Sequence, residues 1–405
     1  MDTCEIVLQQ FTPARARMRI SVVTETYPPE INGVAMTISR MIAGLQAREH
    51  QVQLIRPRQD VLEQPAREPA FEEVLQRGLA IPRYASLKLG LPARQALLRL
   101  WALRRPDIVH VVTEGPLGWS ALAAASKLRI PCSSDFHTNF HAYSRHYGVR
   151  WLKKPIIAYL RRFHNEANCT LVPTQAMLEE LAAHGYENLR VVARGVDTRL
   201  FNPDKRSPDL RGQWGAEARD PVALYVGRIA PEKNMPVVLQ AYHRMRSACP
   251  RAQLVIVGDG PDRRALQRDH PEVRFAGMRT GEDLATHYAS ADVFLFPSVT
   301  ETFGNVTVEA MASGLAVIAF DYAAAHEHIR HGVNGLCADT GNAGQFAALA
   351  RDLASDAERI AALGRQARET AARIDWETVH DEFERVLLAA SNAARFPAQQ
   401  VLVAA

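Results

Sequence analysis

The feature that most constrains the fold is an alternation of short apolar runs with helical segments, which occurs twice along the chain. The runs MRISVVT (18–24) and QVQLIRP (51–57) are strand-like, and a helical segment from about 35 to 48 lies between them. Strands that alternate with helices form a parallel sheet that is covered on both faces. The alternation restarts at VALYVG (222–227) and continues through LAVIAF (315–320). The pattern therefore predicts two similar doubly wound α/β domains in tandem.

The domain boundary is predicted by a polar stretch, 197–220, which contains Pro and Gly and interrupts the alternation. A chain of 405 residues is also too long for one ordinary core. We expect an N-terminal Rossmann-like domain over 18–200, a C-terminal Rossmann-like domain over 201–375, and a C-terminal helix over 376–392 that packs back on the first domain. Open sheets bind ligands at the carboxyl ends of their strands. The cleft between the domains is therefore the predicted site.

The composition narrows the class of protein. Hydrophobic residues make up 47% and charged residues 23% of the chain, as in ordinary soluble globular proteins. The formal net charge of +4 argues against a dedicated nucleic-acid binder. Five scattered cysteines without CxxC spacing indicate neither a disulfide framework nor a zinc site, and favour a reducing compartment. Since no apolar run approaches the ~20 residues that span a bilayer, and no signal-type segment opens the chain, we expect a cytoplasmic protein.

Two glutamates bracket seven residues in the stretch ETFGNVTVE (301–309). Glu301 precedes a predicted helix, and Glu309 lies in the apolar first turns of that helix. Burial of an unpaired carboxylate is costly, whereas a carboxylate readily accepts two hydroxyl hydrogen bonds, as from a sugar or a ribose diol. The alternative is a buried glutamate bonded to neighbouring backbone amides. The amides at the helix start are free to bind phosphate, and they belong to Phe303, Gly304, Asn305 and Val306.

Two further loops follow predicted strands. VGRIAPEKN (226–234) carries Arg228 and Lys233, which are close enough to bind one anion together; the alternative is a solvated surface loop. In ETYPPEINGV (25–34), Asn32 and Gly33 precede the first helix, where amides and the helix dipole favour an anionic group. A tight turn that requires glycine is the alternative there.

A histidine-rich stretch, DFHTNFHAYSRHYG (135–148), follows another strand of the first domain. A single histidine is more often structural than functional. His137, however, comes directly after the strand, so we expect it to face the cleft.

The stretch RHYGVRWLKKPIIAYLRRFH (145–164) alternates Arg and Lys with aromatic and aliphatic residues. This composition suits a membrane interface, with basic groups near anionic lipid and aromatic rings at the headgroup level. A core-packed helix with a solvated basic face is the alternative. The side chains predicted to lie on the membrane or acceptor side are Arg150, Trp151, Lys153, Lys154 and Arg161.

These motifs together carry a resemblance to a known family. ETFGNVTVEAMASG resembles the signature of the retaining glycosyltransferases of family 4, which have the GT-B fold. GRIAPEKN is similar to the diphosphate-binding loop of that family, and ETYPPEINGV is similar to its first-domain glycine loop. The resemblance spans roughly residues 18–385, with the motifs in the family's order. FHTNFHAYSRHYG and FDYAAAHEHI resemble the branch that contains GDP-mannose-dependent alpha-mannosyltransferases and sulfoquinovosyl- and glucosyl-diacylglycerol synthases.

The resemblance implies a role for each motif residue. Glu301 would bind the hydroxyls of the donor sugar, and Glu309 those of the ribose, while the Phe303 to Val306 amides would hold the sugar and the diphosphate. Arg228 and Lys233 would neutralise the leaving diphosphate. Gly33, with Asn32 beside it in the loop, would let the first-domain backbone approach that diphosphate, and His137 would contact the sugar near its 6-hydroxyl. The resemblance implies neither a metal nor any other cofactor.

The expected activity is transfer of a hexose, of the mannose or glucose type, from GDP-mannose or a UDP-hexose to a membrane lipid or lipid-linked glycan. The enzyme would then work in the cytoplasm, on the inner face of the cytoplasmic membrane. The alternatives are a soluble acceptor, a non-catalytic sugar-nucleotide binder, and an NAD-dependent oxidoreductase. The absence of GxGxxG after Thr24 weighs against the oxidoreductase. One departure concerns the loop 321–325, DYAAA, where many family members have a Gly-Gly pair.

Overall fold

The first domain is built on a mainly parallel sheet of eight strands. The computed structural model of the chain describes residues 17–30, 32–81, 84–137 and 153–395. In space the strand order is β10-β9-β8-β7-β1-β2-β4-β3, with only the β3–β4 pair antiparallel. These strands are β1 (Arg19–Val23), β2 (Gln51–Pro57), β3 (Arg67–Glu68), β4 (Phe71–Gln76), β7 (Ile108–Val111), β8 (Cys132–Asp135), β9 (Cys169–Val172) and β10 (Leu189–Val191). A separate antiparallel hairpin consists of β5 (Gly78–Ile81) and β6 (Tyr84–Gly90).

Helices cover both faces of the first sheet, so its strands are apolar on both sides. Alternate residues of β1 show this: Ile20 packs in a cluster with Phe383 on one face, and Val23 packs in a cluster with Trp101 on the other. Strands buried on both faces have continuous apolar runs, which is the pattern seen in the sequence. The helices described for this domain are α1 (Gly33–Ala47), α2 (Arg94–Leu103), α3 (Pro116–Leu128), α4 (Lys153–Asn165) and α5 (Gln175–Ala183).

The second domain repeats this architecture around an all-parallel sheet of six strands, in the order β13-β12-β11-β14-β15-β16. Its strands are β11 (Val222–Val226), β12 (Gln253–Val257), β13 (Arg274–Gly277), β14 (Val293–Phe296), β15 (Ala316–Phe320) and β16 (Leu336–Ala338). Its helices are α6 (Pro208–Gln213), α7 (Met235–Ala248), α8 (Arg263–Asp269), α9 (Gly281–Ser290), α10 (Asn305–Ala312), α11 (Ala324–His328), α12 (Ala343–Ala354) and α13 (Ala357–Ala371). The predicted fold class, two tandem doubly wound Rossmann-like domains, is confirmed.

The last helix, α14 (Trp376–Arg395), returns to the first domain. Its residue Phe383 is fully buried in the same cluster as Ile20 and Ile38. At its start, the Arg48 guanidinium lies 2.8 Å from Asp381 and 3.0 Å from Glu377. Among the described residues, no helix combines the length and the apolar character needed to cross a bilayer.

Candidate active site

Two loops at the centre of the second sheet bring Lys233 and Glu301 together. Strands β11 and β14 are parallel neighbours, so the loops after them leave the same edge of the sheet. Lys233 ends a 3-10 turn, Pro231–Lys233, in the loop after β11, and its ammonium is paired with the Glu301 carboxylate. Ser298 Oγ donates a hydrogen bond of 2.7 Å to Glu301 Oε1. The pair therefore joins residues that are far apart in the sequence and fixes the Glu301 side chain.

Arg228 lies on the same β11 loop as Lys233 and has a carboxylate partner of its own. Its Nη1 atom is 3.3 Å from Glu232 Oε1, and the Glu232 side chain is fully buried. The Tyr225 hydroxyl donates to the Arg228 carbonyl at 2.9 Å and holds the loop backbone. Arg228 keeps about a third of its side chain exposed (32%). Both predicted cations are thus held at this edge of the sheet by carboxylates.

Helix α10 begins at this edge with Gly304 as its N-cap. Gly304 has φ +91°, in the left-handed region that favours glycine, and it makes no side-chain cap. The first amides of α10 therefore have no capping side chain at this position. The carbonyl of Phe303 accepts a hydrogen bond of 2.8 Å from the amide of Ala324, which ties this turn to the loop after β15.

Glu309 lies in the second turn of α10, with part of its side chain still exposed. Tyr288 of α9 is fully buried and donates a hydrogen bond of 2.9 Å from its hydroxyl to Glu309 Oε2. Burial raises the pKa of Glu309 to about 7, although the bond from Tyr288 acts to lower it. Within the described ranges, burial and the Tyr288 bond are the influences that act on the pKa of this carboxyl group. Sequence reasoning missed Tyr288, because nothing in the local pattern pairs α9 with α10.

The first domain meets this edge at the start of α1. A Cβ atom built on Gly33 would lie 4.0 Å from Asn305 Nδ2, so the N-termini of α1 and α10 face each other across the cleft. The Asn32 side chain is engaged within its own domain: it accepts from the Ala35 amide at 2.9 Å and donates to Thr26 Oγ1 at 2.7 Å. Asn32 thus caps α1, and its predicted contact with a donor stays a prediction.

His137 follows β8 at the corresponding edge of the first sheet. Its Nε2 atom lies 2.9 Å from Oδ2 of Asp135, which is fully buried. The Arg194 guanidinium is 3.4 Å from Asp135 Oδ1, and His110 Nε2 is 3.9 Å from Oδ2. Burial acts to raise the pKa of Asp135, but His137 and Arg194 overcome it and hold that pKa well below its usual range. Sequence reasoning missed Asp135, although it stands two residues before His137.

The predicted membrane-side residues fall partly in helix α4. Leu160 and Phe163 are buried in the first domain, whereas Lys154 and Arg161 are exposed. The apolar face of this helix therefore packs inward and its basic face is solvated. The predicted residues Arg150 and Trp151 lie outside the described residues, and Lys153 is described only as the first residue of α4.

One group of potential metal ligands occurs in the described part of the chain. His243, His270 and Glu272 have ligand atoms within 4.8 Å of one another. Glu272 precedes β13, so this group lies at the amino edge of the second sheet, whereas the loops of the site leave the carboxyl edge. It is therefore separate from the cleft.

Two Rossmann-like domains whose strand ends meet across a cleft define the GT-B class, and solved structures share this fold. Sucrose-phosphate synthase from Thermosynechococcus elongatus superposes with a TM-score of 0.75 at 20% identity, over 92% of this chain and 100% of that chain. The catalytic domain of starch synthase IV from Arabidopsis thaliana gives a TM-score of 0.69 at 16% identity, over 93% and 100%. At such identities the likeness concerns the fold.

Sequence comparisons give the family. Residues 31–200 match the profile described as Glycosyltransferase Family 4, and residues 220–356 match that of Glycosyl transferases group 1. A GDP-mannose-dependent alpha-mannosyltransferase of Corynebacterium glutamicum is 35% identical over 80% of this chain and 77% of its own length. The alpha-monoglucosyldiacylglycerol synthase of Acholeplasma laidlawii is 28% identical over 74% and 80%. A sulfoquinovosyl transferase of Arabidopsis thaliana is 33% identical over 74% and 60%.

The chain therefore belongs to glycosyltransferase family 4, and it is a hexosyltransferase. The branch predicted from its motifs is the one to which these relatives belong.

Proposed function

We propose that the chain transfers a hexose from a nucleotide-diphosphate sugar to a membrane lipid or lipid-linked glycan, with retention of the anomeric configuration. The observation that carries this proposal is the convergence of Lys233, Glu301 and the start of α10 at one edge, opposite Gly33. A diphosphate needs cations and free amides, and a sugar needs a carboxylate beside them. The described site offers these groups together.

The donor lies with its ribose toward Glu309 and its sugar toward Glu301 and His137. Glu309 accepts the ribose hydroxyls on the carboxylate oxygen that Tyr288 leaves free. The diphosphate lies between the N-termini of α10 and α1, where amides and both helix dipoles stabilise negative charge. The closeness of Gly33 to Asn305 supports this placement, since a larger residue at position 33 would narrow the gap.

Charge builds up on the leaving diphosphate as the glycosidic bond breaks, and Arg228 and Lys233 neutralise it. Before the donor arrives, Lys233 is paired with Glu301 and Arg228 with Glu232. The entering diphosphate competes for both cations. Lys233 then turns toward phosphate, and the Glu301 carboxylate becomes available to the sugar hydroxyls. Two cations and a helix terminus stabilise the diphosphate without a divalent ion. Departure and attack occur on one face of the sugar, and the leaving phosphate accepts the acceptor's proton.

A lipid acceptor is proposed from the relatives and from helix α4. The Acholeplasma laidlawii relative is named for a glucosyl-diacylglycerol product. In this chain the exposed side of α4 carries Lys154 and Arg161, and the residues that precede the helix in the sequence include Arg145 and Arg150. Basic groups on such a face attract anionic lipid. Since the apolar side of α4 is packed inside the domain, the attraction to the membrane is electrostatic on this part of the surface.

The donor assignment is tested with purified protein and four sugar nucleotides: GDP-mannose, UDP-glucose, UDP-galactose and UDP-glucuronate. We expect turnover of one of them, and a loss of about 10²–10³-fold in Lys233→Ala, because one charge aimed at a developing anion is removed. Lys205→Ala is the matched control, since Lys205 is also paired with a glutamate, Glu282, but on the outer surface. Full activity in a folded Lys233→Ala protein would remove Lys233 from the proposed diphosphate site.

A further inference from the structure

A buried charge cluster lies directly beneath His137. Its centre is Asp135, the last residue of β8, whose side chain is fully buried. The two carboxylate oxygens face different partners. Oδ1 is 3.4 Å from the Arg194 guanidinium, and Oδ2 is 2.9 Å from His137 Nε2 and 3.9 Å from His110 Nε2. Among the described residues Oδ2 and the two Nε2 atoms have no aligned hydrogen-bond partner, so the 2.9 Å between His137 Nε2 and Oδ2 is an ion-pair distance and not an aligned hydrogen bond.

This cluster lowers the folding stability compared with an apolar strand end. A buried ionised carboxylate loses its hydration, and an ion pair with Arg194 compensates only part of that loss. Arg194 is itself buried, with 3% of its side chain exposed. An apolar residue at position 135 would fill the strand end without this cost. We therefore expect the Asp135 carboxylate to have a role beyond packing. That role concerns the group next to Oδ2, the oxygen that does not face Arg194.

Of the two rings near Oδ2, His137 is the one that Asp135 controls. His110 is 1.0 Å farther from Oδ2 and is held from its other side, where its Nδ1 lies 3.0 Å from Ser133 Oγ. Burial lowers the pKa of His110 to about 4, so this ring stays neutral. His137 is the most exposed side chain of the four, and it stands at the edge of the sheet that faces the cleft.

We propose that Asp135 is a positioning residue that fixes the imidazole of His137 for the donor sugar. The inference rests on the proposed function, in which His137 contacts the sugar. A turn of the imidazole that directs Nε2–H at the carboxylate, 2.9 Å away, holds the ring in one tautomer and one orientation. Nδ1 then remains as the acceptor for a sugar hydroxyl. Arg194 keeps Asp135 ionised and therefore able to accept from His137.

A mutant cycle of Asp135→Asn and His137→Ala tests this positioning. The probes are the sugar nucleotide selected by the four-donor assay and the matching nucleoside diphosphate. We expect each single variant to lower donor turnover by about tenfold, a size typical of coupled neighbours. The double variant should be no slower than His137→Ala alone. Affinity for the nucleoside diphosphate, measured by calorimetry, should not change, because neither residue contacts it. A merely structural role of Asp135 would weaken both probes.

Ser133→Ala is the matched control, since Ser133 is buried two residues before Asp135 on the same strand and contacts His110 rather than His137. Its effect should be the same with and without His137. If Asp135→Asn does not fold, Asp135→Ser replaces it, because its smaller side chain leaves room for water. An equal loss from the Asp135 variant in both backgrounds overturns the proposal. Unchanged turnover in His137→Ala also overturns it, while the donor assignment still stands on Lys233→Ala.

Histidine-selective ¹⁵N spectra test the geometry without turnover, and therefore separate this proposal from the proposed function. The His137 signals are assigned by their disappearance in His137→Gln. We expect a single tautomer with the proton on Nε2 in the parent, and a mixture of tautomers in Asp135→Asn. Identical His137 signals in the two proteins overturn the proposal even if no sugar nucleotide is turned over.

Discussion

At the scale of single residues, Glu309 carries a carboxyl group whose proposed contact with the ribose has a cost in folding stability. Its carboxyl group accepts a hydrogen bond from Tyr288, and burial raises its pKa to about 7 from an ordinary 4.5. The folded protein therefore binds this proton more tightly than the unfolded chain does. The associated stabilisation is fully present below about pH 4.5 and is lost as the pH rises through about 7. The ionised form that the proposed ribose contact requires is therefore reached in the folded protein only as the pH approaches and passes about 7.

Replacing Glu309 by Gln removes this titration. We expect Glu309→Gln to be more stable than the parent at pH 8, by up to about 3 kcal/mol, and the difference to shrink toward pH 5. Glu25, whose pKa burial also raises to about 7, titrates in both proteins and cancels in the comparison. The measurement is the free energy of unfolding by urea at several pH values. A difference in stability between Glu309→Gln and the parent that does not change with pH would contradict the raised pKa of Glu309. The control is Glu327→Gln, because Glu327 is exposed.

Ala323 is strained at the edge of the site. It lies in the loop where many family members have a Gly-Gly pair, and its backbone has φ +52° and ψ −128°. An alanine in such a region costs about 1–3 kcal/mol. The next residue, Ala324, donates its amide to Phe303 beside α10, so the loop conformation is held by a contact with the site.

We therefore expect Ala323→Gly to raise the stability of the protein. Glycine at position 323 relieves the backbone strain of the folded protein. It also makes the unfolded chain more flexible, which costs about 0.5–1 kcal/mol of stability. The net gain in the free energy of unfolding is about 1 kcal/mol. Thermal unfolding measures it. Ala324→Gly is the control, and it should change the stability in the opposite direction. Ala324 is buried in the first turn of α11, so its backbone is helical. Glycine in a helix lowers the stability by about 1 kcal/mol relative to alanine. A lower melting temperature for Ala323→Gly would show that the strain is absent.

At the scale of elements, the contact of α1 with α14 attaches the C-terminal helix to the first domain. Gly44 of α1 lies under the His380 ring, and a Cβ built on Gly44 would come within 2.4 Å of that ring. Arg48, one turn further, binds Asp381 and Glu377. The missing side chain at position 44 therefore sets how closely these two helices approach.

Gly44→Ala should destabilise the protein by about 1–3 kcal/mol, because overpacking forces the His380 ring or the helix to move. Helix propensity alone predicts the opposite effect, because alanine stabilises a helix by about 1 kcal/mol relative to glycine. Gly212→Ala in α6 is the control, since nothing lies within 4 Å of its added Cβ, and it should be neutral or stabilising. Urea unfolding of both variants decides the matter. Equal stability of Gly44→Ala and the parent would mean that α14 does not pack as described.

At the scale of the whole molecule, membrane attraction depends on where the charges lie. The chain has 48 basic and 44 acidic side chains, so its net charge alone gives little attraction to lipid. The stretch 145–164 concentrates basic residues in the sequence, and its described part, helix α4, exposes Lys154 and Arg161 on the first domain. At such a surface each Lys or Arg contributes about 1 kcal/mol, and salt screens it.

Serine substitution of four basic residues in that stretch should reduce sedimentation with anionic liposomes by at least about tenfold. High salt should release the parent protein in the same way. Turnover of the donor should survive, because none of these residues belongs to the proposed donor site. The four substituted residues are Arg150, Lys153, Lys154 and Arg161.

The matched control removes four exposed charges from the second domain and should bind liposomes as the parent does. Its residues are Arg351, Arg359, Arg365 and Arg373. A parent protein that never sediments with anionic liposomes would favour the soluble acceptor, and α4 would then be a packed helix with a charged outer face.

Local patterns in the sequence predicted the elements and the motif residues. Strands buried on both faces appear as continuous apolar runs, so the two doubly wound domains could be recognised without the structure. Glu301, Glu309 and Lys233 stand out because charged residues follow apolar strands or interrupt an apolar helix. Irregular segments could not be assigned from the sequence. The strands β3 and β4, at one end of the first sheet, had no clear pattern because they are partly polar, and β3 is also very short.

Only the tertiary structure decided which of these residues meet. Lys233 and Glu301 are 68 positions apart, and Asp135 and Arg194 are 59 apart. His50 and Glu384, which join the first domain to α14, are 334 apart. Periodicity reports which face of an element is buried but carries no information on which distant loop lies beside it. That depends on the order of parallel strands in each sheet and on how the two sheets face each other, and these are set by the packing of the whole chain.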